Sequence, residues 1–252
     1  MKIFPAIGFE INSNCNRDCW FCNRLGDTQN RRFDKQGRHV IKQMPMEKLE
    51  DLSDQLVAIN YQGLVMLNHM SEPVLDPRLP DIVRMLHGKG LRVRLYTNGD
   101  VMWKNQELCD VLAKHCNSIV VGIYDVQDMT PQDIHNRQIE WRKKLRGCDV
   151  TFSVATQRYP RVFSKHMDKP TYPDGDCHQP QQIMMIDYDG RVCLCCEDVN
   201  NSFDLGNAFE TPILEIWNSP KHVELVERLK KSRKGLPLCE RCPIVPSMQY
   251  NY

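Results

Sequence analysis

Between Ile3 and Ala155 the chain switches repeatedly between a short apolar run and a longer stretch of helical periodicity. Runs at 3–11, 63–69, 91–99, 118–125 and 149–155 carry the pattern of strands. Between them lie MEKLEDLSDQLVAIN behind Pro45, DPRLPDIVRMLHGKG closed by Gly90, NQELCDVLAKHC, and PQDIHNRQIEWRKKLRG beginning at Pro131. In the first of these, Met46, Leu49, Leu52, Leu56 and Ile59 fall on one helical face. Alternation of this kind implies parallel strands joined by right-handed crossovers. Five units are too few to close an eight-stranded barrel. The expected fold is therefore α/β, an open, partial (β/α) barrel of about five to six strands, with its site at the C-terminal strand ends. The pattern changes near residue 160: RYPRVFSKHMDKPTYPDGDC is proline-rich, and QQIMMIDYDGRVCLCC reads as a hairpin turning at Asp189-Gly190. A short and a longer helix follow. Two units are expected, 1–160 and 161–252, the second a small α+β module with a linker.

The first strand delivers CNRDCWFC, which spaces Cys15, Cys19 and Cys22 as C-x3-C-x2-C. Three thiolates on one short loop can hold three irons of a [4Fe–4S] cube and leave the fourth open. Tetrahedral zinc would require a fourth ligand. The chain has 12 cysteines, and in an intracellular protein that points to metal before disulfides. Cys109, Cys116 and Cys148 lie in or beside helical patterns and read as small core residues. Cys177 is followed after 12 residues by Gly190 and after four more by Cys195, and Cys239-x2-Cys242 lies downstream. These four thiolates form a complete set for a second cluster or for zinc. In a strand Cys193 shares the face of Cys195 and Cys196 takes the other. Cys193 is thus an alternative ligand, and both spare thiols are either packing residues or hydrogen-atom donors.

Two further strand ends carry polar groups. MSEP follows the second strand and places Glu72 before Pro73; YTNG follows the third and brings Tyr96, Thr97 and Asn98 to the same opening. The plain alternatives are an exposed surface glutamate and ordinary Asn-Gly turn chemistry. Residues 23–44, rich in arginine, are expected to form a solvated loop rather than an anion-binding lid. With 33 basic and 32 acidic residues the chain has no global footprint for nucleic acid. No apolar run reaches membrane-spanning length and the N-terminus lacks a secretory pattern, so a cytoplasmic location is expected.

The spacing of CNRDCWFC, with Phe21 before its last cysteine, resembles the signature of the radical S-adenosylmethionine (SAM) family. The resemblance implies SAM bound at the Cys15/Cys19/Cys22 cluster, reductive cleavage to a 5′-deoxyadenosyl radical, and hydrogen abstraction from substrate. It implies that Phe21, Ser71, Glu72, Thr97 and Asn98 bind SAM, with Glu72 on the methionine amino group; Ser71 stands where the family has glycine. The C-x12-G-x4-C run resembles the start of the SPASM pattern. Without further cysteines after Cys242 it is similar to the shorter twitch form, which implies a second [4Fe–4S] cluster on Cys177, Cys195, Cys239 and Cys242. Within the family, CNRDCW, YTNGD and an acidic pair after the hairpin cysteine are similar to dehydrogenases of aminocyclitols. That similarity implies that Arg158, Glu197 and Tyr96 face a small polar substrate whose secondary alcohol is oxidised. Strand four ends in Ile123-Tyr124 without the glutamine of those enzymes, so the substrate is expected to differ. A flavodoxin or ferredoxin is the expected electron donor, with no membrane or nucleic-acid partner. The rival readings are modification or epimerisation of a ribosomal peptide and a non-catalytic metal-binding module.

Overall fold

A computed structural model describes residues 3–155 and 174–243. Six strands run parallel: β1 (Ala6–Phe9), β2 (Leu64–Leu67), β3 (Arg92–Thr97), β4 (Ser118–Ile123), β5 (Asp149–Val154) and β6 (Ile183–Ile186). A two-residue β7 (Val192–Cys193) returns antiparallel to β6. Among the described residues the spatial order β5-β4-β3-β2-β1-β6-β7 leaves the sheet open, as expected, but with seven strands.

The extra parallel strand comes from the C-terminal stretch. β1 pairs with β2 on one side and with β6 on the other, so the hairpin's first arm is part of the main sheet. All four residues of β6, Ile-Met-Met-Ile, are buried, as a strand covered on both faces requires. Gly190 sits in the hairpin turn at φ +83°, where a side chain would also strike Asn207 and Phe209.

Four helices provide the crossovers: α1 (Met46–Ala58), α2 (Leu79–Gly88), α3 (Gln106–His115) and α4 (Pro131–Lys144). The first three bury regular apolar sets, for example Leu49, Leu52 and Leu56 on α1 and Leu79, Ile82, Val83 and Leu86 on α2. Each such side chain contributes about 1.5–3 kcal/mol by leaving water. α4 buries only Trp141, and its start is fixed by a capping box between Thr130 and Asp133 with Pro131 in the first turn. Three short helices follow, α5 (Ile213–Trp217), α6 (Pro220–Leu229) and α7 (Pro237–Glu240).

Strand alternation produces two cores. Ile7, Phe9, Val65, Leu67, Val93 and Leu95 face the helices. Ala6, Leu64, Met66, Ile183, Met185 and Cys193, with Tyr96 beside them, form a smaller apolar cluster on the other face. Cys109 and Cys116 are buried core residues, and the Cys148 thiol donates to the Cys116 carbonyl at 3.3 Å.

The arginine-rich stretch is a solvated loop only in its second half, where residues 35–39 and 41–43 are exposed; its first part holds buried arginines. Arg24, Arg31 and Arg32 are 1%, 6% and 0% exposed. Arg32 pairs with Glu10 at 2.6 Å, and Arg31 pairs with Asp187 at 2.6 Å and Asp189 at 3.0 Å. Arg24 donates to the Ser13 and Met70 carbonyls. These guanidinium groups tie residues 24–32 to the strand ends. Among the described residues no helix is long and apolar enough to cross a membrane.

Candidate functional site

The cysteine loop leaves β1 and closes over the C-terminal strand ends. Asn12 and Asn14 anchor its root: the Asn12 side chain donates to the Glu72 carbonyl at 3.3 Å, and the Glu72 N–H donates to the Asn14 carbonyl at 2.7 Å. The other end is gripped by Arg17. Its guanidinium reaches Asp100 after β3 at 2.6 Å and Asp125 after β4 at 2.8 Å. Asn16 donates to Asp100 at 2.8 Å and accepts from Asn98 at 2.9 Å. Sequence reasoning missed this clamp; its signal was an arginine between two cysteines and an aspartate just past each of two strands.

Cys15, Cys19, Cys22 and Phe21 line a cavity of about 160 Å³ together with Ser71, Glu72, Tyr96, Thr97 and Asn98. The structure thus brings together the cysteine loop and both polar strand ends singled out in the sequence. Met66, Ile183 and Met185 provide its apolar lining, and Tyr124 packs edge-on against Phe21 at 5.3 Å.

Glu72 is not a surface residue. It is 3% exposed, and three donors orient it: Thr97 Oγ1 at 2.7 Å, the Asn98 N–H at 2.7 Å and the Val74 N–H at 3.2 Å. Burial lifts its carboxyl to about 7 even though those hydrogen bonds pull the other way. Gly99 completes the β3 turn at φ +78°, and a side chain there would strike Trp141.

Burial raises the Cys15 thiol to about 11 and Cys19 to about 12, with the neighbouring cysteines adding to the rise at Cys19. A cation at these sulfurs reverses that balance, because it holds thiolates outright. Among the described residues no three His, Cys, Asp or Glu side chains converge on one metal-ion position. A cube takes each thiolate on a separate iron instead. Asn68 Oδ1 and Ser71 Oγ are buried along the cavity without a partner, as groups awaiting a ligand would be. The donor set fits a cluster with a polar co-ligand.

The second cysteine set also gathers. Cys195 lies among Cys196, Cys242, Cys177 and Cys239, close enough for their charges to act on it after burial, the main cause, has raised it far above the usual thiol range. Burial lifts Cys239 to about 12, with Cys177 adding to the rise. The Cys242 N–H donates to the Cys239 carbonyl at 3.1 Å in the turn ending α7, and Arg233 holds the Cys242 carbonyl at 3.1 Å. Cys193 instead packs with Met66 and Met185, away from that group. Cys196 lines the cavity.

Glu197 and Asp198 are 1% and 0% exposed. Glu197 Oε2 accepts from Asn23 at 2.6 Å, and Glu197 is not among the residues lining the cavity. Tyr96 does line it. Arg158 lies outside the described residues.

The comparisons with known proteins match this geometry. Residues 9–153 match the model of the radical SAM superfamily, and residues 177–243 match SPASM, an iron–sulfur cluster-binding domain. These matches imply SAM, a [4Fe–4S] cluster and an auxiliary iron–sulfur cluster as cofactors. The chain is 24% identical to the S-adenosyl-L-methionine-dependent 2-deoxy-scyllo-inosamine dehydrogenase of Niallia circulans, across 100% of this chain and 98% of the relative. The crystal structure of BtrN with AdoMet and 2-DOIA superposes with a TM-score of 0.78 at 22% identity, covering 98% of this chain and 96% of BtrN. Streptococcus suis SuiB bound to precursor peptide SuiA shares the fold more distantly, at a TM-score of 0.61 and 12% identity, covering 96% of this chain and 71% of SuiB.

Proposed function

Because the chain belongs to the radical SAM superfamily, we propose that it oxidises a secondary alcohol on a small polar, sugar- or aminocyclitol-like molecule. The observation that carries this reading is the gathering of Cys177, Cys239 and Cys242 around Cys195. Four thiolates saturate a cube, which leaves it no site for substrate and suits it to accept an electron. Likeness along the whole length of a named dehydrogenase supports the same reaction.

When bound at Cys15, Cys19 and Cys22, a [4Fe–4S] cluster with SAM supplies reductive cleavage and a radical able to abstract hydrogen. The chain's residues then have separable tasks. Glu72, fixed by Thr97 and the Asn98 N–H, receives the methionine ammonium in a charge-assisted bond. Arg17 keeps the cysteine loop against β3 and β4 through Asp100 and Asp125. Phe21 and Tyr124 cover the cavity, and Met66, Ile183 and Met185 keep its inner wall dry. Tyr96 faces the substrate from β3, and Arg158 assists proton loss from the alcohol. A flavodoxin or ferredoxin of the cytoplasm supplies the electron; residues 1–160 carry the cleavage site, and residues 161–252 add the electron-accepting centre while helping to line the same cavity through Ile183 and Met185.

Anaerobic turnover of a panel of aminocyclitols and sugars that includes 2-deoxy-scyllo-inosamine, with SAM and dithionite, tests the reading. One ketone per 5′-deoxyadenosine is expected. SAM cleavage without a carbonyl product from any aminocyclitol or sugar tried would overturn it.

A further inference from the structure

The loop carrying Cys22 and the loop carrying Cys195 are joined by a chain of hydrogen bonds. Asn23, which follows Cys22, donates from Nδ2 to Glu197 Oε2 at 2.6 Å and to the Glu197 carbonyl at 3.3 Å. The Glu197 N–H in turn points at Cys195 Sγ, 3.4 Å away. Asn23 and Glu197 are 0% and 1% exposed. Neighbouring residues lace the same two segments together. Asn200 accepts from the Thr28 N–H at 3.0 Å and donates to the Gly26 carbonyl at 2.9 Å, and Arg32 donates to the Val199 carbonyl at 3.2 Å.

We propose that Asn23 and Glu197 are positioning residues that bridge the two cluster loops and set the reduction potential of the auxiliary centre. The inference rests on the reading of Cys177, Cys195, Cys239 and Cys242 as the ligands of that centre. Its physical basis is that hydrogen bonds to cluster sulfurs and nearby charge both tune potential. An N–H aimed at a ligand sulfur favours the reduced, more negative state and raises the potential. A buried carboxylate close by opposes the added electron and lowers it. Glu197 brings both influences to one place, with its N–H on Cys195 and its carboxylate near enough to act on Cys177. Asn23 determines where that carboxylate rests. A grip on both the side-chain carboxylate and the backbone carbonyl of Glu197 fixes the backbone as well as the charge, so the aim of the N–H depends on Asn23.

The bridge also gives the oxidation a directional logic. An electron leaving a substrate radical in the cavity must prefer the auxiliary centre to the SAM cluster. A contact that holds the Cys195 loop in register with the Cys22 loop keeps that acceptor tuned while the SAM cluster turns over.

The test uses the full chain, reconstituted anaerobically, with the midpoint potential and electron paramagnetic resonance g values of the auxiliary centre as readouts. Asn23→Ala should lower the potential by loosening the N–H donor, whereas Glu197→Gln should raise it by removing charge. Opposite signs at equal iron content are not expected of two merely structural contacts. Asn23→Asp combined with Glu197→Gln exchanges donor and acceptor at constant charge, and should restore the wild-type g values that each single change perturbs. Should Asn23→Ala fail to keep its iron, this conservative pair decides alone. Wild-type potential and g values in both single variants, or a double variant no closer to wild type than its parents, would overturn the bridge. A wild-type chain with no auxiliary signal would instead remove the ligand reading, and the bridge with it.

Discussion

Arg32 Nη2 stands 2.6 Å from Glu10 Oε2, and neither side chain is exposed. Burial alone would push the Glu10 carboxyl up, but Arg32, His69 and the Met70 N–H outweigh it and bring it down to about 2. Removing one partner strands the other charge in the interior, so Glu10→Gln should destabilise the protein by about 3–5 kcal/mol. The sign follows from the depressed value. The pair's contribution is fully present above the unfolded carboxyl value near 4.5 and is lost only as pH falls through about 2. Anaerobic urea unfolding of wild type and Glu10→Gln should therefore give a gap that stays flat from about pH 8 to about pH 5. A gap that closes within that window would show that the ion pair is not what holds residues 24–32 in place.

That pair marks where the sequence stops being legible. The strand–helix alternation and the three-cysteine loop are readable because both are local: periodicity and spacing need no partner. Arg24, Arg31 and Arg32 look like a solvated run because their partners are distant in sequence, with Asp187 at one side and Glu10 at the other. The same holds for Glu197, whose partner Asn23 lies 174 positions away. The sixth strand was half legible. Ile183-Met-Met-Ile186 has no alternation, as a strand with two covered faces requires, yet the hairpin turn after it draws attention to β7 rather than to β1. Burial of Glu72 was foreshadowed by its place after a buried strand, but its three donors were not.

Glu72 yields the second prediction. Replacing it by Gln preserves shape and removes the charge that an ammonium would meet, so SAM should bind more weakly by about 1.5–3 kcal/mol. Because burial raises this carboxyl to about 7, wild-type affinity should climb as pH rises from about 6 to about 7 and the group ionises, below about pH 8, where the ligand's own α-ammonium loses its proton. The Glu72→Gln variant should be flat between about pH 6 and about pH 7. Isothermal titration of anaerobic protein reads both effects; unchanged affinity in the variant would make the turn after β2 purely structural.

Two cubes require about eight iron and eight sulfide per reconstituted chain. Changing Cys15, Cys19 and Cys22 together to Ala should leave half of that iron and abolish SAM cleavage. Cys193→Ala should keep the full complement, since that thiol packs against Met66 and Met185 and not with the Cys195 group. Iron and sulfide analysis with Mössbauer spectra measures each. Loss of the auxiliary cluster in Cys193→Ala would reverse the assignment of the hairpin ligand.

The fate of one hydrogen separates oxidation from the other radical outcomes. A substrate radical beside an alcohol becomes a carbonyl by losing one proton and one electron, and the electron needs an acceptor within the protein. Removing Cys239 and Cys242 should leave the Cys15 loop able to support formation of 5′-deoxyadenosine while the ketone disappears. With intact enzyme and the alcohol substrate that a panel of aminocyclitols and sugars identifies, deuterated at the carbinol carbon, one deuterium should pass to 5′-deoxyadenosine for each ketone formed. Epimerisation would return a hydrogen to carbon instead, drawn from a thiol that exchanges with solvent. Cys196, which lines the cavity, is the donor that such an outcome would implicate; Cys193 is 2% exposed and confined to the apolar cluster. Solvent deuterium at carbon in wild type, absent from Cys196→Ala, would replace oxidation with epimerisation. Ketone formation unaffected by Cys196→Ala and abolished without Cys239 and Cys242 would assign the second electron to the auxiliary centre.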